Sequence, residues 1–350
     1  MTDSRAAAPR LTTVRRGVVV AAAVGALVLA VTLGVLVGPA GISVRAVVLE
    51  LVGALPGVDV SSGLTPGQQA VLWEIRMPRV ALGLLVGATL AIAGAAYQGV
   101  FRNPLADPYL LGVSSGAGLG ATLAIVAGGT IAGLGIPLAA FAGGVVAVTA
   151  TYLLGRTVGG ARSEVVVILA GVAVAAFANA GQTFVQQFHD DSLRQVYAWL
   201  LGRLATDGWH DVVVVLPYVA VSIAVIALFR RTLDVMAVGD LEAASLGIRP
   251  DRVRLILVAA ATLGTAAVVS VSGLIGFVGI VVPHTVRLLV GPGHRLLLPL
   301  SIVVGGAFLV LADLVARVAM SPAELPIGVV TAAIGAPFFL YVLRRGRVTS

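Results

Sequence analysis

PYLLGVSSGAGLGATLAIVAGGTIAGLGIPLAAFAGGVVAVTATYLLG, residues 108–155, passes without one charged side chain. A helix needs about 20 apolar residues to cross a bilayer, so this run predicts two crossings. The break between them falls in the glycine- and proline-bearing piece 128–137. Working outward, uncharged runs also occupy 17–37, 80–101, 165–188, 212–229, 255–286, 296–312 and 325–343. The first is longer than the roughly 7–15 apolar residues of a signal peptide and reads as an uncleaved anchor. The run 255–286 must hold two helices, and at about 1.5 Å per residue they cannot both span a core of about 30 Å. One of that pair is expected to be short or broken, with Gly273, Gly276 and Pro283 marking the place. Backbone that leaves the helix at such depth is tolerated only where protein or a water-filled cavity surrounds it. The predicted fold is all-α: a polytopic membrane protein with about ten transmembrane helices.

Composition points the same way. The 350 residues are 59% hydrophobic and 11% charged, against about 45–50% and about 25% in soluble domains, which excludes a water-soluble enzyme. Ten crossings leave short loops and no room for a separate soluble domain. The chain contains no cysteine, so disulfide frameworks, cysteine-ligated zinc, iron–sulfur clusters and thiol catalysis are excluded. The formal net charge of +7 rests on 23 basic residues, all of them arginine. They sit at the ends of the apolar runs, where they orient a chain in the lipid bilayer rather than bind nucleic acid. With the amino terminus in the cytoplasm, only Arg45, Arg76, Arg79, Arg194, Arg203 and Arg317 fall outside. That asymmetry supports an even number of crossings with both termini cytoplasmic. The expected organisation is a disordered N-terminus over 1–14, one membrane domain over 15–345 and a short tail over 346–350. Gly83 and Gly87, and the string Gly112, Gly116 and Gly120, have the four-residue spacing that lets helices approach closely in lipid.

Transport against a gradient needs an energy source, and the apolar runs offer almost no carboxylate for protons or sodium. Asp313 is the exception, and its place four residues before Arg317 reads as an ion pair on one helix face. A chain without lysine has no Walker-type nucleotide loop, so an ATPase, if one drives transport, is a partner. The four histidines, His189, His210, His284 and His294, show no metal-ligand spacing, and no metal site is expected. The single NPL triplet at Asn103–Leu105 differs from the paired boxes of water channels, which disfavours a channel.

A partner needs a handle, and RRTLDVMAVGDLEAASLGIRPDRVR, residues 230–254, is the longest internal loop. Leu233, Met236 and Ala237 recur at helical spacing before Gly239, and Leu241, Ala244 and Ile248 do so after it. Two short helices joined at Gly239 and Asp240 would suit docking into a groove on a soluble protein. They would equally suit lying on lipid, and the residues alone leave both readings open.

This segment resembles the coupling region of the FecCD-type permeases, the iron-chelate, cobalamin and haem permeases of bacterial ABC importers. Five further stretches resemble the same family in register: WEIRMPR at 73–79, the segment 87–121 with its FRNPLADP loop, 272–299 with its VVPH motif, LADLVARV at 311–318, and 324–345. The likeness runs from about residue 15 to 345. It implies the type II ABC importer permease fold, in which two copies of the chain, or one with a close paralogue, enclose the substrate path. It implies two cytoplasmic ATPase subunits, which hold ATP and magnesium, so that this chain binds no cofactor of its own. It also implies one extracytoplasmic substrate-binding protein and a place in the bacterial cytoplasmic membrane.

Residue by residue, the resemblance gives Leu233, Met236, Gly239, Asp240, Leu241, Leu246 and Gly247 to ATPase coupling. Arg76 and Arg317 match external arginines that receive carboxylates of the binding protein; position alone would make them interfacial anchors. Asn103 and Leu105 match an inner gate. The loop 159–164 is the place for a second gate, though GGARSE lacks the small hydroxyl residues of some relatives. Tyr97, Gln98, Phe177, Asn179 and Gln182 are candidates for the path, being polar or aromatic amid alanine and glycine. The expected function is import of a ferric siderophore powered by partner ATPases, with cobalamin or haem as alternatives in the same machinery. An ion-coupled secondary transporter is disfavoured by the scarcity of membrane carboxylates.

Overall fold

The computed structural model describes residues 13–346 apart from 59, 132–133, 160–163 and 206. Of the N-terminus expected to be disordered over 1–14, residues 1–12 lie outside the described residues, as do 160–163 of the 159–164 loop and the tail 347–350, while Thr13 and Val14 open helix α1. Helix α1 (Thr13–Leu36) crosses first and is followed by the short surface helix α2 (Val44–Gly53). Thr65 and Gln68 form a capping box that starts α3 (Pro66–Ala70), with Pro66 in the first turn where a missing N–H is harmless. A π-helical turn, Val71–Arg76, joins α3 to α4 (Met77–Val100). Next come a 3-10 turn (Pro108–Leu111), α5 (Val113–Val126) and the minimal antiparallel hairpin of β1 (Thr130–Ile131) with β2 (Leu134–Gly135). Helices α6 (Ile136–Gly159) and α7 (Glu164–Gln187) complete the first half.

The second half holds α8 (Leu193–Leu200), α9 (Trp209–Leu228), α10 (Arg230–Met236) and α11 (Asp240–Ser245). After these come α12 (Pro250–Ser272), α13 (Val278–Val290), α14 (His294–Val318) and α15 (Ile327–Gly346). Seven helical segments are long and apolar enough to cross a membrane, and α5, α13 and α15 add three shorter apolar helices. Among the described residues this makes ten apolar helices, the number expected from the sequence. The break in 108–155 falls between α5 and α6, and 255–286 divides unevenly into a full-length α12 and a 13-residue α13.

Lipid tails are as apolar as leucine, so helices here associate by close packing rather than by escaping water. Helix α4 is buried on nearly every side, and α12, α13 and α14 pack around it. At Gly94 a methyl group would run into the backbone of Gly279, so α4 and α13 touch backbone to backbone. The string 112–120 divides: Gly116 and Gly120 admit the backbone of α6, whereas Gly112 is the left-handed residue (φ +82°) that ends the 3-10 turn.

Residues 273–277 leave the helix between α12 and α13, and neighbouring groups bond the backbone of Ile275 at its centre and of Ser272 at its edge, as lipid requires. The Tyr109 hydroxyl accepts from Ile275 N–H (3.2 Å) and donates to Ile275 C=O (3.0 Å), while Arg203 N–H donates to Ser272 C=O (2.8 Å). No uncharged run announces α8, which tucks Val196 and Trp199 against α5.

Candidate functional site

At the end of the bundle where α4 and α9 finish, α10 and α11 form a bent surface loop. Gly239 joins them at φ +152°, a conformation few side chains tolerate, and a side chain there would collide with the Glu242 carboxylate. The expected pair of helices is present, but its phase corrects the expectation. Leu233 and Met236 are buried against α4 and α14, so they seat the loop in the bundle rather than meet a partner. Ala243, not Ala244, faces inward on α11, leaving Leu241 83%, Leu246 70% and Val238 72% exposed. Gly247 makes the turn after α11 at φ +81°. The loop therefore presents an apolar rim on a firmly anchored base.

Two carboxylates, Asp240 and Asp234, hold that base. Asp240 accepts from Arg254 of α12 through both oxygens (2.9 and 2.8 Å), and Arg102 approaches it at 3.6 Å. Asp234 of α10 takes His294 N–H at 2.8 Å, capping α14, and also meets the His294 ring at 2.7 Å. The expected inner-gate residues stand beside Arg102: the Asn103 side chain accepts Leu105 N–H (2.9 Å), which folds 103–105 into a tight turn.

The path candidates separate into two groups. Tyr97 and Gln98 are buried inside the chain: Tyr97 pairs with Thr262, and Gln98 bridges Gly279 C=O and Arg287. They brace α4 against α12 and α13 and do not face an open path, which corrects the expectation. Phe177 and Asn179 are exposed on α7, the least buried crossing, and Gln182 is half-buried beside Gly118. Amide side chains on an apolar helix are costly against lipid, so this face needs protein or water over it.

The opposite end of the bundle holds a charge cluster. Arg76 and Arg317, expected to be exposed, are each 3% exposed. Arg76 donates to the carbonyls of Val35 and Leu36, and Arg317 to those of Gly34 and Val37. The last turn of α1 and Val37 just beyond it lie against both guanidinium groups, which a count of outside arginines could not foresee. Asp313 pairs with Arg317 as the i, i+4 spacing predicts (2.9 Å). It also pairs with Arg79, whose Nη atoms take both oxygens of Glu324 at 3.0 and 2.9 Å. From the sequence alone Arg79 counts only as one of six outside arginines, with nothing to mark its partners. Nearby, the Ser62 hydroxyl, the Trp73 indole and the Gln69 amide hold the Glu50 carboxyl of α2 below its ordinary range.

Comparison with known proteins accords with this geometry. The family model described as the FecCD transport family matches residues 26–345. The cobalamin import system permease protein of Halobacterium salinarum is 44% identical over 282 residues, 81% of this chain and 75% of its own. The hemin transport system permease protein of Yersinia pestis is 39% identical over 284 residues, 79% of this chain and 84% of its own. A solved structure described as an inward-facing conformation of a metal-chelate type ABC transporter superposes with a TM-score of 0.80 at 29% identity, over 94% of this chain and 99% of that one. A match that spans nearly every described helix leaves one assignment: the chain belongs to the FecCD transport family and is a multi-pass permease of the ABC importer class.

Proposed function

We propose that this permease imports a metal chelate, and that cytoplasmic ATPase subunits drive it by docking on the exposed rim of residues 238–247. The observation that carries the reading is the division of that loop into buried Leu233 and Met236 and exposed Val238, Leu241 and Leu246. A lone surface helix on lipid would need no second, ion-paired attachment to the bundle. The chain performs no bond chemistry. ATP and magnesium sit on the partner subunits, and their movement shifts the permease between states because they bind those states with different affinity.

A second copy, or a close paralogue, completes the path along α7, where Phe177, Asn179 and Gln182 stand. The inner gate is Asn103 and Leu105. The binding protein docks at the opposite end, where its carboxylates reach Arg76 and Arg317 by displacing the carbonyls of residues 34–37. The arginine excess on one side of the apolar runs supports a cytoplasmic position for both termini.

Within the chelate class, a ferric siderophore is the first reading from the motifs. The 44% identity to a cobalamin permease favours cobalamin as the second. Uptake into vesicles carrying the complete complex, measured with a ferric hydroxamate, cyanocobalamin and haem in turn, decides between them. Saturable uptake of one of the three is expected, and uptake of none contradicts the chelate reading.

A further inference from the structure

We propose that Asp240 is a positioning residue that links the α10–α11 turn to the 101–107 loop, through a lasting ion pair with Arg254 and a breakable one with Arg102. The proposal deepens the reading above and rests on it.

The two partners of this carboxylate differ in kind. The Arg254 side chain is 10% exposed and donates to both Asp240 oxygens. A charge-assisted contact to both oxygens of a carboxylate, made so far from water, is costly to break, so this pair persists. Asp251, one turn earlier on α12, lies 3.6 Å from the same guanidinium and keeps it on that helix. Arg102 is 38% exposed, the carboxylate it faces is 35% exposed, and they stand 3.6 Å apart. At that exposure an ion pair is weak and water replaces it readily. One carboxylate thus has a partner it keeps and a partner it can release.

The backbone on each side suits such a link. Gly239, immediately before Asp240, sits at φ +152° and supplies the pivot. Arg102 sits at φ +45°, and besides Phe277 it is the one non-glycine residue with positive φ among those described. A left-handed arginine is uncommon and is sustained by its surroundings rather than by its own preference. It directly precedes the Asn103–Leu105 turn, so a displacement of Arg102 is passed to that turn through a single peptide. A partner that moves the rim at Leu241 and Leu246 therefore swings Asp240 about Arg254, and the Arg102 contact forms or breaks as the loop shifts.

The test uses the complete complex in vesicles, with the cargo found by the uptake assay (cyanocobalamin or a ferric hydroxamate) and released phosphate counted together. Arg102→Gln is expected to keep ATP hydrolysis within about two-fold of the unaltered complex and to lower cargo moved per ATP about three- to five-fold. Arg102→Lys restores most of that ratio. Rising ionic strength lowers the ratio in the unaltered complex and leaves it flat in Arg102→Gln. A purely structural role would instead lower the thermal midpoint and both rates together, with no salt dependence, and that result overturns the proposal. So does an Arg102→Gln complex that moves as much cargo per ATP as the unaltered one while the latter transports normally. An unaltered complex with no ATP-dependent uptake overturns the functional reading and this proposal together.

Discussion

Arg79 and Asp313 lie 234 residues apart in the chain and meet as a buried ion pair of 2.9 Å, α4 to α14. Asp313 also serves Arg317, whereas Glu324, the second partner of Arg79, has a side chain 44% exposed. Removing Asp313 leaves two buried guanidinium groups short of a carboxylate, so Asp313→Ala should cost about 3–5 kcal/mol. Glu324→Ala should cost about 1 kcal/mol or less, because water replaces the lost oxygens. Thermal unfolding in detergent should place the midpoint of Asp313→Ala well below that of Glu324→Ala, and equal midpoints contradict this account of the cluster.

The backbone contact between α4 and α13 gives a second expectation. Gly94→Ala forces a methyl group against the Gly279 backbone and should destabilise by about 1–3 kcal/mol. Gly25→Ala on α1, where nothing lies within 4 Å, should leave the midpoint unchanged.

The loop of α10 and α11 should separate stability from docking. Leu233→Ala opens a cavity under the loop and should lower stability by about 2–5 kcal/mol. Leu241→Ala and Leu246→Ala should leave the midpoint alone and weaken ATPase binding. The chain has no cysteine, so Leu241→Cys provides a single thiol that should cross-link to an ATPase subunit, while a thiol at Val146 on the outer face of α6 should not.

Glu50 makes this end of the bundle acid-sensitive. Its folded pKa lies below the ordinary 4.5, first because Ser62 donates to it and then because Trp73 does. A depressed carboxyl stabilises fully above its unfolded pKa and loses that contribution as pH falls through the lower folded value. Trp73 fluorescence should therefore report loosening of residues 62–73 below about pH 4.5. The acid change should be absent in Glu50→Gln.

The seven long crossings were legible in the sequence because their apolar runs are about as long as the bilayer core is thick. The uneven division of 255–286 was legible from length alone. The α8 turn was not, since its helical spacing of Val196 and Trp199 is only eight residues long and carries Arg194. At the site, Gly239 and Asp240 were identified as the turn, and the sequence reading failed where it needed a direction. Helical spacing shows that Leu233 and Leu241 lie on faces, but which face meets the bundle depends on α4 and α14. In the same way Arg76, Tyr97 and Gln98 have the chemistry of surface or path residues and are buried by neighbours distant in the chain. The partners Arg79–Asp313 and Arg102–Asp240 join separate elements, and spacing carries no signal for either.

The most direct test is uptake by the reconstituted permease with its ATPase subunits and binding protein. The account predicts chelate entry that requires ATP and every partner and is indifferent to an imposed proton gradient. Entry driven by the gradient in vesicles that lack the ATPase would contradict it.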